Sequence, residues 1–207
     1  MYKGGVHIPE GTYEVVFLPE EGAEDCYAEL CMMDEENSIY QHFYFSKSEE
    51  FYAIEDFRIY TGGIVKIEGR GSLYFGCTNA QSQDMRSEVN PNTQRYYLSD
   101  SFEVGTDIIP GVYDVICESG NGIFDYEVPV FGDYGEFSAY CGMLMGEEAG
   151  FSSELKNIVL PAGTMVYIDG MTVTLVPSEK IESEEYDTYY NNWSKGRDAP
   201  CSLSLII

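Results

Sequence analysis

A stretch near the start of this chain returns one hundred positions later. Gly5-Val-His-Ile-Pro-Glu-Gly-Thr-Tyr-Glu-Val-Val reads against Gly105-Thr-Asp-Ile-Ile-Pro-Gly-Val-Tyr-Asp-Val-Ile. Gly5, Ile8, Gly11, Tyr13 and Val15 recur as Gly105, Ile108, Gly111, Tyr113 and Val115, and Tyr40 falls on Tyr140. Later, Gly62-Gly-Ile-Val-Lys-Ile-Glu-Gly matches Ala162-Gly-Thr-Met-Val-Tyr-Ile-Asp-Gly, the offset drifting from 100 to 101. Ordered matches at both ends of a segment mark an internal repeat. With 207 residues in all, each copy is the size of one small domain with its own core.

Each repeated piece has a physical sense. The proline of Ile-Pro-x-Gly sets its own φ and drives the residue before it into an extended state; glycine then supplies a turn conformation that other residues avoid. Tyr13, Val15 and Phe17 alternate with Glu14 and Val16, the period of a half-buried strand. Asp169–Gly170 lies between Val166–Ile168 and Val173–Leu175, and Glu68–Gly69 lies between Val65–Ile67 and Leu73–Phe75. Both read as hairpins. Further strands are expected at Tyr27–Met32, Ile39–Phe45, Tyr52–Tyr60, Ile123–Val130 and Gly135–Leu144. Many short strands with almost no helical periodicity predict an all-β chain: two tandem antiparallel β-sandwich modules of jelly-roll kind from an internal duplication. The expected boundaries are 1–77 for the first module, 78–98 for a polar connector, 99–177 for the second module, and 178–207 for an acidic, aromatic tail. In that tail Tyr186, Tyr189, Tyr190 and Trp193 have helical spacing, and Cys201-Ser-Leu-Ser-Leu-Ile-Ile reads as a final strand.

The Gly-x-x-Ile-Pro-x-Gly-x-Tyr opening and the Leu160-Pro-Ala-Gly-Thr close resemble uncharacterised bacterial β-sandwich modules that carry a Gly-x-Asp-Ile-Pro-Ala-Gly-x-Tyr signature. The resemblance covers Gly5–Tyr13 and Gly105–Tyr113. It implies a fold and no activity. Asp107 keeps the aspartate of that signature, His7 replaces it, and Ile109–Pro110 moves the proline by one position.

Charge then narrows the partners. Against 36 acidic residues stand 11 basic ones, a formal net charge of -25. Neutralising phosphates takes clustered Lys and Arg, so nucleic acid is excluded as a partner and an anionic membrane surface is disfavoured. An acidic disordered chain would be poor in rings, yet 18 Tyr, 11 Phe and one Trp supply ample core. No run approaches the ~20 apolar residues of a membrane span and no secretory leader is visible, so a cytoplasmic location is expected, with export left open. Six cysteines, several among core-like neighbours as in Val115–Ile116–Cys117, read as buried free thiols.

Catalytic signals are sparse. His7 and Asp107 stand at one turn position, where a side chain capping nearby backbone explains both. His42 lies on the face of Ile39–Phe45 shared with Tyr40 and Tyr44, and its counterpart is Gly142. Two histidines at unrelated spacing make no metal site. Gly150-Phe-Ser-Ser-Glu lacks the second glycine of a nucleophile elbow. The carboxylate runs form no Asp-x-Asp-x-Asp-Gly loop, so no cofactor is expected and a weak calcium site is the one metal reading left open.

These features predict a non-enzymatic binding or protein-interaction module for a protein or small ligand. The expected contact residues are His42, Tyr40, Tyr44, Tyr189, Tyr190 and Trp193. The alternatives are a glycoside-active enzyme using an acidic pair, and a structural protein that assembles as a homo-oligomer. Activity should lie where the copies differ, at His42 against Gly142, in the connector or in the tail.

Overall fold

A computed structural model describes residues 1–20, 22, 26–34, 39–48, 52–132, 135–148 and 151–186, without the side chains of 130–139 and 141. The described chain is an all-β sandwich protein made of antiparallel sheets. It divides into two compact units: Met1–Ser87 with Glu148–Ser152, and Glu88–Glu147 with the chain from Ser153 onward.

The first unit holds β1 (Tyr2–Lys3), β2 (Gly11–Leu18), β3 (Tyr27–Asp34), β4 (Ile39–Ser46), β5 (Ala53–Ile59), β6 (Ile64–Arg70) and β7 (Ser72–Cys77). They form two sheets, ordered β1-β6-β3-β4 and β5-β2-β7. The period-two pattern decides which face goes inside. Tyr13, Val15 and Phe17 of β2 meet Ala28, Leu30 and Met32 of β3, with Phe45, Ile54, Phe57, Ile59 and Val65 completing one core. Each fully buried ring among these contributes about 1.5–3 kcal/mol relative to exposure.

The second unit holds β8 (Glu88–Val89), β9 (Tyr96–Leu98), β10 (Phe102–Glu103), β11 (Gly111–Gly132), β12 (Gly135–Met145), β13 (Glu154–Leu160), β14 (Met165–Pro177) and β15 (Lys180–Ile181). The strand order parallels that of the first unit, with two differences. First, β11 and β14 each run unbroken through one six-stranded sheet, doing the work of β2 plus β3 and of β6 plus β7. Second, β9 adds a strand beside the second half of β14. Register follows the sequence offset. Tyr2↔Val65 becomes Phe102↔Val166, Tyr13↔Phe57 becomes Tyr113↔Ile158, and Tyr13↔Cys77 becomes Tyr113↔Pro177. Bulges fall between Tyr13 and Val15 and again between Tyr113 and Val115. The residues with left-handed backbone opposite them are Asp56 (φ 60°) and Asn157 (φ 55°).

The opening turn is built the same way twice. The Lys3 N–H donates to His7 Nδ1 at 2.8 Å, and the Glu103 N–H donates to Asp107 Oδ2 at 2.8 Å. One acceptor at one place accounts for both side chains. The Tyr13 hydroxyl donates to the Pro9 carbonyl at 2.7 Å, and that of Tyr113 to the Ile109 carbonyl at 2.5 Å.

Two expectations need correction. The Glu68–Gly69 and Asp169–Gly170 segments are not hairpins. Residues 65–67 pair with β3 and 73–75 with β2, so the chain passes from one sheet to the other at this corner. Gly69 (φ 112°) and Gly170 (φ 74°) make the bend, and a Cβ on Gly69 would stand 2.5 Å from the Tyr27 carbonyl oxygen. Asp-Gly marks a change of backbone direction, and here the direction changes between layers instead of reversing. The polar segment 78–98, expected as a connector, carries a 3-10 turn at Ser82–Asp84 together with β8 and β9. Within the tail, β15 pairs with β8; the expected helix beyond Tyr186 and the expected final strand lie outside the described residues.

Candidate functional site

The register of β4, β3 and β6 lays a small lattice of side chains on the outer face of the first unit. Across the three strands the rows read Ser46–Tyr27–Arg70, Tyr44–Glu29–Glu68, His42–Cys31–Lys66 and Tyr40–Met33–Ile64. Side chains on one sheet face interact with directly opposed and diagonal neighbours. Contacts run diagonally between strands and along single strands here. The Tyr44 ring stacks on Tyr27, centroids 5.5 Å apart at 24°. His42 Nε2 lies 3.2 Å from Glu29 Oε2, and Lys66 Nζ lies 2.7 Å from Glu68 Oε1. The Tyr40 ring tilts against His42 at 6.3 Å.

Two exposed aromatics therefore stand over a buried floor. Tyr40 is 51 % and Tyr44 42 % exposed, whereas Glu29 and Cys31 beneath them are 8 % and 5 % exposed. Burial pushes the Cys31 thiol up to about 11, although a hydrogen bond with Tyr40 opposes the shift. A thiol this far from ionising serves as packing and not as a nucleophile. Burial likewise raises the Tyr27 hydroxyl, and the carboxylates of Glu29 and Glu68 push the same way. At the rim, Arg70 Nε contacts Glu20 Oε2 at 2.5 Å; this pair lowers the Glu20 carboxyl and raises the Arg70 guanidinium.

The corresponding face of the second unit is different chemically. Its rows read Leu144–Ile123–Asp169, Gly142–Asp125–Tyr167 and Tyr140–Glu127–Met165. Where His42 stands in one unit, Gly142 stands in the other, and a Cβ there would meet Asp125 Oδ1 at 2.3 Å. The Asp125 carboxylate fills the place that an imidazole takes in the first unit. Ile123, Leu144, Tyr140 and Tyr167 are each 41–42 % exposed, so large apolar and aromatic side chains stand beside Asp125, Glu127 and Asp169 on this face.

Of the residues expected at a site, Tyr40, His42 and Tyr44 do share one face. Tyr189, Tyr190 and Trp193 lie outside the described residues. The sequence reading missed Tyr27, Glu29, Cys31, Lys66 and Glu68. Alternation along Tyr27–Asp34 places Tyr27, Glu29 and Cys31 on one face, but only the β3–β4 and β3–β6 registers bring that face under the tyrosines. The described residues hold no group of three or more His, Cys, Asp or Glu arranged to bind a metal ion. Cys26, Cys31, Cys77 and Cys117 are free thiols, the first two buried. No helix of the described chain is long and apolar enough to cross a membrane. No family model matches the chain, and neither does any curated protein or solved structure.

Proposed function

We propose that this protein is a non-enzymatic binding module whose contact surface is the outer face of β4, β3 and β6 in the first unit. The observation that carries this reading is the stacked Tyr27–Tyr44 pair beside exposed Tyr40 and the His42–Glu29 hydrogen bond. Rings held by sheet registers present flat area at little entropic cost, and the adjacent His42–Glu29 hydrogen bond and Lys66–Glu68 ion pair supply oriented polar groups. A ligand with an apolar face and a few hydroxyl, amide or cationic groups suits such a surface. The matching registers of the two units support their origin in duplication of one module. A specific site then belongs where the copies diverge, at the rows containing His42 and Tyr44.

One observation favours a second reading. Glu29 and Glu68 are register partners on an aromatic face, and glycoside hydrolysis uses two neighbouring carboxylates. Both, however, are already engaged by His42 and Lys66. Titrating glycans and short cationic peptides into the full chain, with chemical shifts along residues 27–33 and 39–46 as readout, tests the binding reading. Saturable shifts that weaken at least about tenfold in Tyr44→Ala support it. Turnover of aryl glycosides, abolished in both Glu29→Gln and Glu68→Gln, replaces it with the enzyme.

A further inference from the structure

The two units differ at one sheet edge. In the second unit the outer side of β14 is covered by β9, with Leu98↔Val173, Tyr97↔Thr174 and Tyr96↔Leu175. The same positions of the first unit are Leu73, Tyr74 and Phe75 of β7. Among the described residues no strand lies there, and the β7 ladder goes to β2 alone. An open edge offers a row of unmade backbone hydrogen bonds, and proteins ordinarily protect one with charges, proline or a bulge. The opposite edge of this sheet is protected in that way: β5 carries exposed Glu55, Asp56 and Arg58, with left-handed backbone at Asp56. The β7 sequence Ser-Leu-Tyr-Phe-Gly-Cys has no charge and no proline, and Tyr74 is 57 % exposed.

We propose that the free edge of β7 is a strand-addition site that takes an extended, net-cationic segment of a partner protein, laid antiparallel as β9 is laid on β14. Main-chain hydrogen bonds give such a site its affinity and alternate side chains give it preference. Charge selects the occupant. A second copy of a chain carrying -25 is repelled, whereas a cationic segment is attracted, and the strand that covers the equivalent edge is itself preceded by Arg95. Side-chain preference follows from one difference between the units. The Ile109 N–H donates to the Tyr96 hydroxyl at 3.0 Å, but the counterpart of Ile109 is Pro9, which has no N–H to give. The ligand residue at that place needs no hydroxyl, so phenylalanine serves as well as tyrosine.

The test is amide hydrogen exchange on the full chain with acetyl-Gln-Arg-Tyr-Tyr-Leu-Ser-amide, a copy of residues 94–99. At ten times its dissociation constant, the peptide is expected to slow exchange at Leu73–Phe75 about tenfold. Phenylalanine in place of its first tyrosine should change nothing, and glutamate in place of its arginine should weaken the effect. Of Tyr74→Pro and Phe75→Pro, the variant whose lost N–H faces away from β2 keeps the fold and should lose the slowing. Three results would each overturn the proposal. One is no slowing at about 1 mM peptide. Another is slowing at Val173–Leu175 instead, by displacement of β9. The last is protection of β7 that grows with protein concentration in the absence of peptide, which would mark a second copy as the occupant.

Discussion

The first unit follows its path with separate strands in two sheets; the second follows the same path with unbroken strands in one sheet. Between β2 and β3 lie residues 19–26, and between β6 and β7 lies Gly71, whereas β11 and β14 continue through the same corners as single strands. In β11 the passage is made by register shifts between Cys117 and Ser119 and between Gly120 and Ile123. A bulge bends and twists a strand while keeping most of its ladder, so it turns the chain between layers as a short loop does. One architecture thus tolerates two local solutions. Its constraint is the pairing of each half-strand within its own sheet, not the continuity of the strand.

That comparison can be broken most severely at the corner glycines. Gly69 has φ 112° and would bring a Cβ to 2.5 Å from the Tyr27 carbonyl, while Gly170 has φ 74° and a nearest approach of 2.8 Å to the Asn121 carbonyl. Gly69→Ala is expected to cost about 3 kcal/mol or more in urea unfolding, and Gly170→Ala, in ordinary left-handed space, about 1–2 kcal/mol. Equal losses would mean that the difference in backbone geometry between the two corners carries no energetic weight.

The tyrosines at corresponding positions of the two units come next in size. Tyr113 both donates to the Ile109 carbonyl and accepts from Asn92, whereas Tyr13 donates to the Pro9 carbonyl. Removing a hydroxyl that strands an amide donor and a carbonyl costs more than removing one that strands a carbonyl and a weakly bonding thiol. Tyr113→Phe should therefore lose about 2 kcal/mol and Tyr13→Phe about 1 kcal/mol, measured by the same unfolding curves.

The tyrosines also predict an alkaline limb. Burial, the largest cause, and the nearby Cys77 push the Tyr13 hydroxyl up to about 12, from an ordinary value of 10.0. The neutral form is the one the fold holds. Its contribution is fully present below about pH 10 and is lost as the pH climbs through the folded value. Tyr113 is raised as well, chiefly by burial. Thermal midpoints should fall between pH 10 and 12, and Tyr13→Phe should flatten that fall. An unchanged slope in the variant would assign the limb to other groups.

The smallest effect on stability tests the sharpest difference between the faces. His42 is partly exposed on an edge strand, so His42→Ala should change unfolding by no more than about 0.5 kcal/mol while weakening the ligand shifts along β4. Gly142→His, by contrast, sets a side chain against Asp125 and should fail to transfer binding to the second unit. Acquired binding there would show that the histidine alone suffices.

Much of this was legible in the residues. Period two along Gly11–Leu18 and Ile39–Ser46 assigns strands and faces because the alternation of Cβ directions is a property of the strand itself. The opening turns were legible for the same reason: their hydrogen bonds close within four residues, between Lys3 and His7 and between Glu103 and Asp107. The hairpins at Glu68–Gly69 and Asp169–Gly170 were misread because a glycine reports that the backbone turns and carries no record of which strand receives it. Tyr40, His42 and Tyr44 were placed together by alternation. Their floor of Tyr27, Glu29 and Cys31, and the flanking Lys66 and Glu68, belongs to strands that the register alone sets beside β4. By itself, then, the sequence determined an acidic, all-β chain and the inward face of its strands, since those follow from local geometry and charge. Only the tertiary structure decided that His42 meets Glu29, that Tyr44 stacks on Tyr27, and that among the described residues no strand covers β7 as β9 covers β14. Pairing between strands distant in sequence is settled by packing the whole sheet.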